Sequence, residues 1–188
     1  MTFSKPGPEN TGATLRIALE AAAQKNFDLV VASNTGSTVE ALLTLKNEVH
    51  TPVNIVMVGQ VDGFSAPGTN ALTAEKRALL EAQGVRIVTA AHALSGAERG
   101  ISRKFGGVYP AELVAASLRM LSQGVKVCVE IAMMALDCGA ISYGRPVVCV
   151  GGTGRGADTV CIVTPAYTAG LFDTKINEIL CKPGLYAE

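Results

Sequence analysis

The stretch that decides the fold is VVASNTGSTVEAL, Val30 to Leu42. Its first residues continue an apolar run that starts at residue 28, as a strand buried on both faces of a parallel sheet requires. Small polar residues follow, and the sequence then changes to the spacing of an amphipathic helix. We therefore predict a strand over 28–33, a tight turn, and a helix from Ser37 to about Lys46.

The same alternation of strand and helix continues on both sides of this stretch. Apolar residues from Leu15 to Ala22 recur at helical spacing and predict a first helix over 11–25. The other predicted strands are 53–59, 85–90, 146–151 and 159–164, and the other predicted helices are 73–83, 110–123 and 125–138. Residues 91–110 show no clear strand, and the tail 165–188 receives no assignment.

These elements predict a single α/β domain that spans residues 1–188. Strands that alternate with helices form a three-layer structure around a mostly parallel sheet, here of five strands. The last two strands are too close in sequence for a crossover helix, so the last strand is expected to be antiparallel. Ligands of such sheets bind beyond the carboxyl ends of the strands, which selects the loops 33–38, 59–70 and 151–158.

The composition indicates a globular protein and argues against nucleic acid as a partner. Of the 188 residues, 48% are hydrophobic and 17% are charged, which is typical of a globular chain with a large core. Lys plus Arg number 16 and Asp plus Glu also 16, so no net charge attracts nucleic acid. An anion site would therefore be local. The low charge content is consistent with buried contacts between subunits and leaves a homo-oligomer open.

The chain shows no pattern of export or membrane insertion, so we expect a cytoplasmic protein with no membrane partner. The N-terminal sequence MTFSKPGPENTG lacks the apolar core of a signal peptide. The longest apolar segment is interrupted by Lys126, Glu130 and Asp137 and is too short to span a bilayer. The 5 Cys include no C-x-x-C pair, which predicts reduced structural thiols. With only 2 His and no ligand spacing, no metal site is predicted.

The turn after the first strand has the composition of a phosphate-binding loop. A helix that begins at Ser37 leaves its first N–H groups unpaired, and its dipole attracts negative charge. Glycine lets the backbone approach a ligand, and the hydroxyls add donors. A Walker A loop would need a Lys that is absent here. The alternative is a turn that only caps its own helix. The candidate residues are Ser33, Asn34, Thr35, Gly36, Ser37 and Thr38.

The segment VGGTGRGADTV, residues 150–160, supplies a second anion-binding candidate. Its glycines match the dinucleotide pattern G-x-G-x-x-A, but a strand follows where that motif needs a helix. Exposed amides in such a loop can form an anion nest, and an Arg can clamp a phosphate. A glycine-rich turn with a solvated Arg is the alternative. The candidates are Gly152, Thr153, Gly154 and Arg155.

Three further features carry weaker signals, and each has two interpretations. The basic segment 95–109 is either a mobile lid over an anionic ligand or a solvated linking helix. His92, at the end of the third predicted strand, either contacts ligand or is structural. Lys126 and Glu130 form an i, i+4 pair that we interpret as a surface stripe, with a buried catalytic Lys as the alternative. No catalytic residue is predicted.

Motifs over nearly the whole chain resemble stand-alone proteins related to the C-terminal domain of pyruvate kinase. The resemblance rests on KPGPENT, FDLVVASNTGSTVEAL, HALSGAERGISRKFGGVYP, QGVKVCVEIAMMALDCG and VGGTGRGADTV. It implies a five-stranded sheet whose last strand is antiparallel. In pyruvate kinase the similar domain holds a phosphorylated sugar effector between a Ser/Thr-rich loop and a Gly-rich loop. The catalytic barrel of that enzyme is absent, so kinase activity is not implied.

The resemblance further implies flavin mononucleotide (FMN) as the ligand and cofactor. Asn10 and Thr11 would border the site, and His92 and Arg99 would approach the flavin ring or the ribityl chain. Relatives would carry His residues where this sequence has QVDGF, residues 60–64. Three functions stay open: a module that binds FMN, a flavin-dependent oxidoreductase of unknown substrate, and a sensor of sugar phosphates.

Overall fold

The computed structural model describes residues 1–184 and has an α/β architecture. The strands in this range are β1 (Thr2–Phe3), β2 (Leu29–Ala32), β3 (Ile55–Gly59), β4 (Arg86–Thr89), β5 (Val147–Gly151), β6 (Thr159–Thr164) and β7 (Lys175–Pro183). The α-helices in this range are α1 (Thr11–Lys25), α2 (Ser37–Val49), α3 (Ala74–Ala82), α4 (Gly96–Phe105), α5 (Pro110–Arg119) and α6 (Gln123–Asp137). Two short 3₁₀ helices cover Pro8–Asn10 and Thr168–Asp173.

The strands form one mixed sheet in the order β1-β7-β6-β5-β2-β3-β4. Strands β5, β2, β3 and β4 are parallel, and β6 runs antiparallel to both of its neighbours. The antiparallel direction predicted for 159–164 is therefore confirmed. The prediction of five strands is wrong, because the sheet continues beyond β6 through β7 and β1 and has 7 strands within residues 1–184. Strand β6 is consequently not the last one.

Helices cover the central strands on both faces, which explains the continuous apolar run in β2. Leu29 and Val31 pack with α1 and α2 in one core cluster, whereas Val30 packs with α6 in the cluster on the opposite face. All three side chains are completely buried. The predicted three-layer arrangement follows from this packing. Among residues 1–184, no helix combines the length and the apolar character needed to cross a membrane.

Two segments differ from the prediction. The helix expected over 110–123 ends at Arg119, because Ser122 starts the next helix by accepting a hydrogen bond from Val125 N at 3.0 Å. The segment 91–110, predicted to lack a strand, contains α4, in which no residue is buried. In the unassigned tail, the 3₁₀ helix and β7 occupy most of 165–184, and residues 185–188 lie outside the described range.

The reversed strand β6 determines where the Gly-rich loop lies. Strand β5 ends at Gly151 and β6 begins at Thr159, so the loop between them lies at the carboxyl end of β5. The parallel strands β2, β3 and β4 end at the same edge of the sheet. The turn 33–38, the loop after β3 and the Gly-rich loop therefore lie next to one another.

Helix α6 approaches this edge through glycine contacts that leave no room for a side chain. A Cβ atom added to Gly124 would lie 2.0 Å from Thr159 Oγ1. A Cβ atom on Gly151 would lie 2.5 Å from the carbonyl oxygen of Gly124. The first turn of α6 thus contacts the end of β5 backbone against backbone and packs directly on the Thr159 side chain at the start of β6.

Three buried thiols, one on α6 and two on the sheet, lie between the helix and the sheet. Cys149 and Cys161 are directly opposite each other on β5 and β6, and Cys128 Sγ lies 3.4 Å from the carbonyl oxygen of Cys149. Burial raises the pKa of Cys128 and of Cys149 well above the ordinary thiol value. All 5 cysteines are free, and only Cys138 among them is exposed. The structure thus places four of the five thiols in the core.

Candidate functional site

A cavity of about 880 Å³ lies at the carboxyl ends of β5, β2, β3 and β4. The spacing of about 4.8 Å between strands gives a length of about 14 Å across these four strands. One side is the sheet edge, where Ala32 and Val58 contribute apolar surface, and the other side is α6. The volume lies within the range of about 300–1,000 Å³ that is usual for small-molecule and cofactor sites.

The turn after β2 lies beside the Gly-rich loop, toward the β5 end of the cavity. All of its residues from 33 to 38 line the cavity except Gly36. Ser33 and Thr38 are buried, while the hydroxyls of Thr35 and Ser37 are exposed and lie 2.6 Å apart. Within residues 1–184 no side chain caps α2, and the first backbone bond of this helix runs from Glu40 N to Gly36 O at 2.9 Å. The N–H groups before Glu40 therefore lack intrahelical partners, which makes this end of the cavity attractive to an anion.

Gly36 has a different role from the one predicted for it. Its φ of 86° requires glycine, and a Cβ atom would lie 3.0 Å from Leu80 Cδ1 and 3.4 Å from Leu72 Cδ1. The residue thus faces the packing between α2 and α3 and does not line the cavity. Gly36 shapes the turn but does not bring its own backbone close to a ligand in the cavity.

The Gly-rich loop lies next to the turn, at the carboxyl end of the neighbouring strand β5. Gly152, Gly154 and Arg155 line the cavity, and the Arg155 side chain is exposed. Thr153 does not line it, and its buried hydroxyl has no hydrogen-bond partner within residues 1–184. The backbone at Gly154 has a φ of 77°, so this loop depends on glycine for its shape.

The N-terminal segment supports this loop from behind. Thr11 Oγ1 accepts a hydrogen bond from Ala157 N at 3.0 Å and donates one to Pro8 O at 2.7 Å. Thr11 lines the cavity, but its hydroxyl is already used to hold the loop. Asn10 does not line the cavity, and its amide donates to Lys5 O at 2.9 Å. Both residues support the site, and neither offers a free donor to a ligand through these groups.

Asp158 is a supporting residue that was not predicted from the sequence. Its carboxylate is fully buried and accepts hydrogen bonds from Gly7 N at 3.3 Å and from Thr159 Oγ1 at 2.8 Å. Its own N–H donates to Gly151 O at 3.1 Å. Asp158 thus joins the end of the Gly-rich loop to the N-terminal segment and to β6.

A buried ion pair lies beside the part of the cavity near His92, which we call its inner end. Lys126 and Glu130 are 4% and 2% exposed, so the interpretation as a surface stripe is wrong. The ammonium of Lys126 donates to Glu130 Oε2, and Leu94 N donates to Glu130 Oε1 at 3.1 Å. Burial lowers the pKa of Lys126, an effect that the carboxylate of Glu130 opposes. Glu130 lines the cavity, whereas Lys126 lies behind it.

His92 forms the end of the cavity beyond β4. It lines the cavity, is half-buried, and makes an edge-on contact with Phe64 at 5.4 Å between ring centroids. Burial is the main cause that lowers the pKa of His92, the positive charges of Lys126 and Arg99 lower it further, and the carboxylate of Glu130 opposes them. Arg99 is therefore near His92, although it does not line the cavity. The lowered pKa favours the neutral form of His92.

One face of α6 contributes lining residues that the sequence reasoning missed. Their spacing of three and four residues places them on one side of the helix, so they form a mostly apolar wall that faces the sheet edge. The signal was present in the periodicity of this helix, but an apolar helix face predicts core packing equally well. The residues are Gln123, Val127, Glu130, Ile131 and Met134.

The whole arrangement is suited to a ligand that is anionic at one end. Two helix N-termini, those of α2 and α6, reach the cavity beside the exposed cation Arg155. Within residues 1–184, no group of three or more His, Cys, Asp or Glu side chains could hold a metal ion. No model of a known protein family matches the chain.

Proposed function

We propose that this protein binds a phosphorylated small molecule, most specifically FMN, in the cavity at the carboxyl ends of the strands. The observation that carries the proposal is the uncapped N-terminus of α2, which lines the same cavity as Arg155 and the Gly-rich loop. Unpaired N–H groups, a helix dipole and a guanidinium are the groups that bind a terminal phosphate.

The inner part of the cavity supports a ligand with a large uncharged portion. Beyond the phosphate end, the walls are mostly apolar, with Val58 on the sheet edge and Ile131 and Met134 on α6. A length of about 14 Å across four strands suits a mononucleotide better than a short sugar phosphate. The resemblance to relatives of the pyruvate kinase C-terminal domain supports the same ligand.

The residues of this chain would divide the binding of FMN between them. Thr35, Ser37 and Arg155 would hold the terminal phosphate, and the apolar wall of α6 would exclude water from the flavin ring. Bound FMN would supply electron-transfer chemistry, which this chain would orient and shield. A flavin-dependent oxidoreductase would use the same cavity, and a sensor of sugar phosphates would use only its phosphate end.

The first test is the visible spectrum of the purified protein, before and after addition of FMN. Bound flavin gives absorbance near the flavin bands and quenched or shifted fluorescence. A protein that shows neither, at any FMN concentration, would contradict the assignment of FMN. Thermal stabilisation by sugar phosphates without stabilisation by FMN would instead support the sensor. Reoxidation of the reduced flavin by a substrate would support the oxidoreductase.

The second test is the phosphate end. Thr35→Val removes a hydroxyl at the cavity and should weaken FMN binding about tenfold or more, since a hydrogen bond to a charged group contributes about 1.5–3 kcal/mol. Thr44→Val, on the exposed side of the same helix, is the matched control and should leave binding unchanged. Isothermal titration calorimetry measures both. Equal affinities in the two variants would refute the phosphate assignment.

A further inference from the structure

We infer that Glu130 makes the inner end of the cavity selective for an uncharged group, so that the site accepts ligands with one phosphate and rejects ligands with a second one. This inference rests on the proposed function, because it assigns opposite preferences to the two ends of the same cavity. The expected ligand is a monophosphate whose opposite end is uncharged and donates hydrogen bonds.

The first support is the orientation of the buried ion pair. Glu130 lines the cavity and Lys126 does not, so the negative member of the pair faces the ligand. Both side chains are at most 4% exposed, and their charges are therefore not screened by water. The position is about 10 Å along α6 from Gln123, given a rise of 1.5 Å per residue, and this separates it from the phosphate end.

The second support is the hydrogen-bonding capacity of the carboxylate. An ionised carboxylate accepts hydrogen bonds at about four positions and donates none. Lys126 and Leu94 N occupy one position on each oxygen, and the remaining ones are free to accept from a ligand. A ring N–H or a hydroxyl satisfies them, whereas a phosphate brings only acceptors and a like charge.

The third support is the set of charged groups around this end. Burial and the charges of Lys126 and Arg99 lower the pKa of His92, which favours its neutral form, while Glu130 opposes them. Lys126 is engaged by Glu130, and Arg99 does not line the cavity. The groups that line the inner end therefore present one negative charge and no positive charge to a ligand.

The experiment compares a matched pair of probes, ribose 5-phosphate and ribose 1,5-bisphosphate, with FMN as the reference ligand. Isothermal titration calorimetry gives the ratio of the dissociation constants for bisphosphate and monophosphate. In the wild-type protein the bisphosphate should bind at least tenfold more weakly. In Glu130→Gln this ratio should fall at least tenfold, because the amide removes the charge but keeps an oxygen that accepts from Leu94 N.

A second variant covers the case in which Glu130→Gln does not fold, since it leaves Lys126 buried without its partner. The double variant Lys126→Met and Glu130→Gln removes both charges, and such replacement of a buried pair is often tolerated. The same loss of discrimination is expected there. Glu112→Gln is the matched control, because Glu112 is a half-buried carboxylate that accepts from Ser102 Oγ at 2.8 Å outside the cavity. Its ratio should equal that of the wild type.

The possible results distinguish a failure of the selectivity at Glu130 from a failure of the proposed function. An unchanged ratio in both Glu130 variants, with FMN still bound, would overturn the selectivity and leave the proposed function intact. Equal binding of both probes by the wild-type protein, or no binding of the bisphosphate by any variant, would also overturn it. Failure of FMN and of both ribose phosphates to bind the wild-type protein would overturn the proposed function, and the selectivity with it.

Discussion

Replacing Gly124 by Ala tests whether the first turn of α6 contacts the sheet as closely as the structure indicates. The new Cβ atom would lie 2.0 Å from Thr159 Oγ1 and 2.4 Å from Thr159 Cβ. Because carbon atoms pack at about 3.5 Å or more, the Thr159 side chain must retreat by more than 1 Å. It has no free direction, since its hydroxyl donates to the buried Asp158 Oδ1 at 2.8 Å.

The expected result is a loss of stability, although Ala is the better helix former. Overpacking of a closed core costs about 1–3 kcal/mol, which exceeds the gain in helix propensity of at most about 1 kcal/mol. Gly100→Ala, within α4, is the matched control, because no atom of residues 1–184 lies within 4 Å of its new Cβ. That variant should be more stable than the wild type by about 0.5–1 kcal/mol.

Urea unfolding followed by circular dichroism measures both changes. With an m value of about 2 kcal/mol/M, a loss of 2 kcal/mol lowers the midpoint by about 1 M, whereas the control should raise it. A Gly124→Ala protein with a midpoint equal to or above that of the wild type would refute the close contact between α6 and β6.

Two further predictions concern the thiols and the pH dependence of stability. A thiol reagent added to the native protein should modify Cys138 alone, with the four buried thiols reacting only in urea, and rapid reaction of a second thiol would contradict their burial. The pKa of His92, measured by nuclear magnetic resonance, should lie below 6.5, and Arg99→Gln should raise it because a positive charge is removed. His92 then binds a proton more tightly in the unfolded state than in the folded state. The free energy of unfolding should therefore fall as the pH decreases from about 6.5 through the pKa of His92 in the folded state. His92→Asn should abolish that part of the pH dependence, and an unchanged pH profile in this variant would exclude His92 as its source.

The central strands and the turn at Ser37 could be predicted because their local sequence is sufficient. A strand covered on both faces needs apolar side chains on both, and the run from Leu29 to Val31 has them. The change to helical spacing at Ser37 then places the turn directly before this residue. The antiparallel direction of β6 followed from the short connection alone.

The outer strands could not be predicted, because their pairing depends on distant residues. Strand β1 has two residues, and no periodicity can be detected in so short a segment. Strand β7 pairs with β6 through register shifts that interrupt the alternation of buried and exposed residues. Its pairing with β1 joins segments at opposite ends of the described chain.

The burial and the neighbours of individual site residues could not be predicted from the local sequence either. An i, i+4 pair such as Lys126 and Glu130 has the same spacing on a surface as in a core. Its burial depends on a partner such as Leu94, which is 36 residues away from Glu130 in sequence. For Gly36 the sequence indicates conformational freedom, but the direction in which a Cβ would point depends on α3.

The attachment of α4 has a consequence for local opening and amide exchange. No residue of α4 is buried, and polar contacts join it to α5, where Glu112 accepts from Ser102 and Ala111 N donates to Glu98 Oε2 at 3.0 Å. Such a helix opens at a small free-energy cost and exchanges its amide hydrogens early. The chain leading into it is held at Leu94 by Glu130, a wall of the cavity. We expect a ligand that stabilises this wall to slow exchange in α4 as well, a helix whose own residues do not line the cavity.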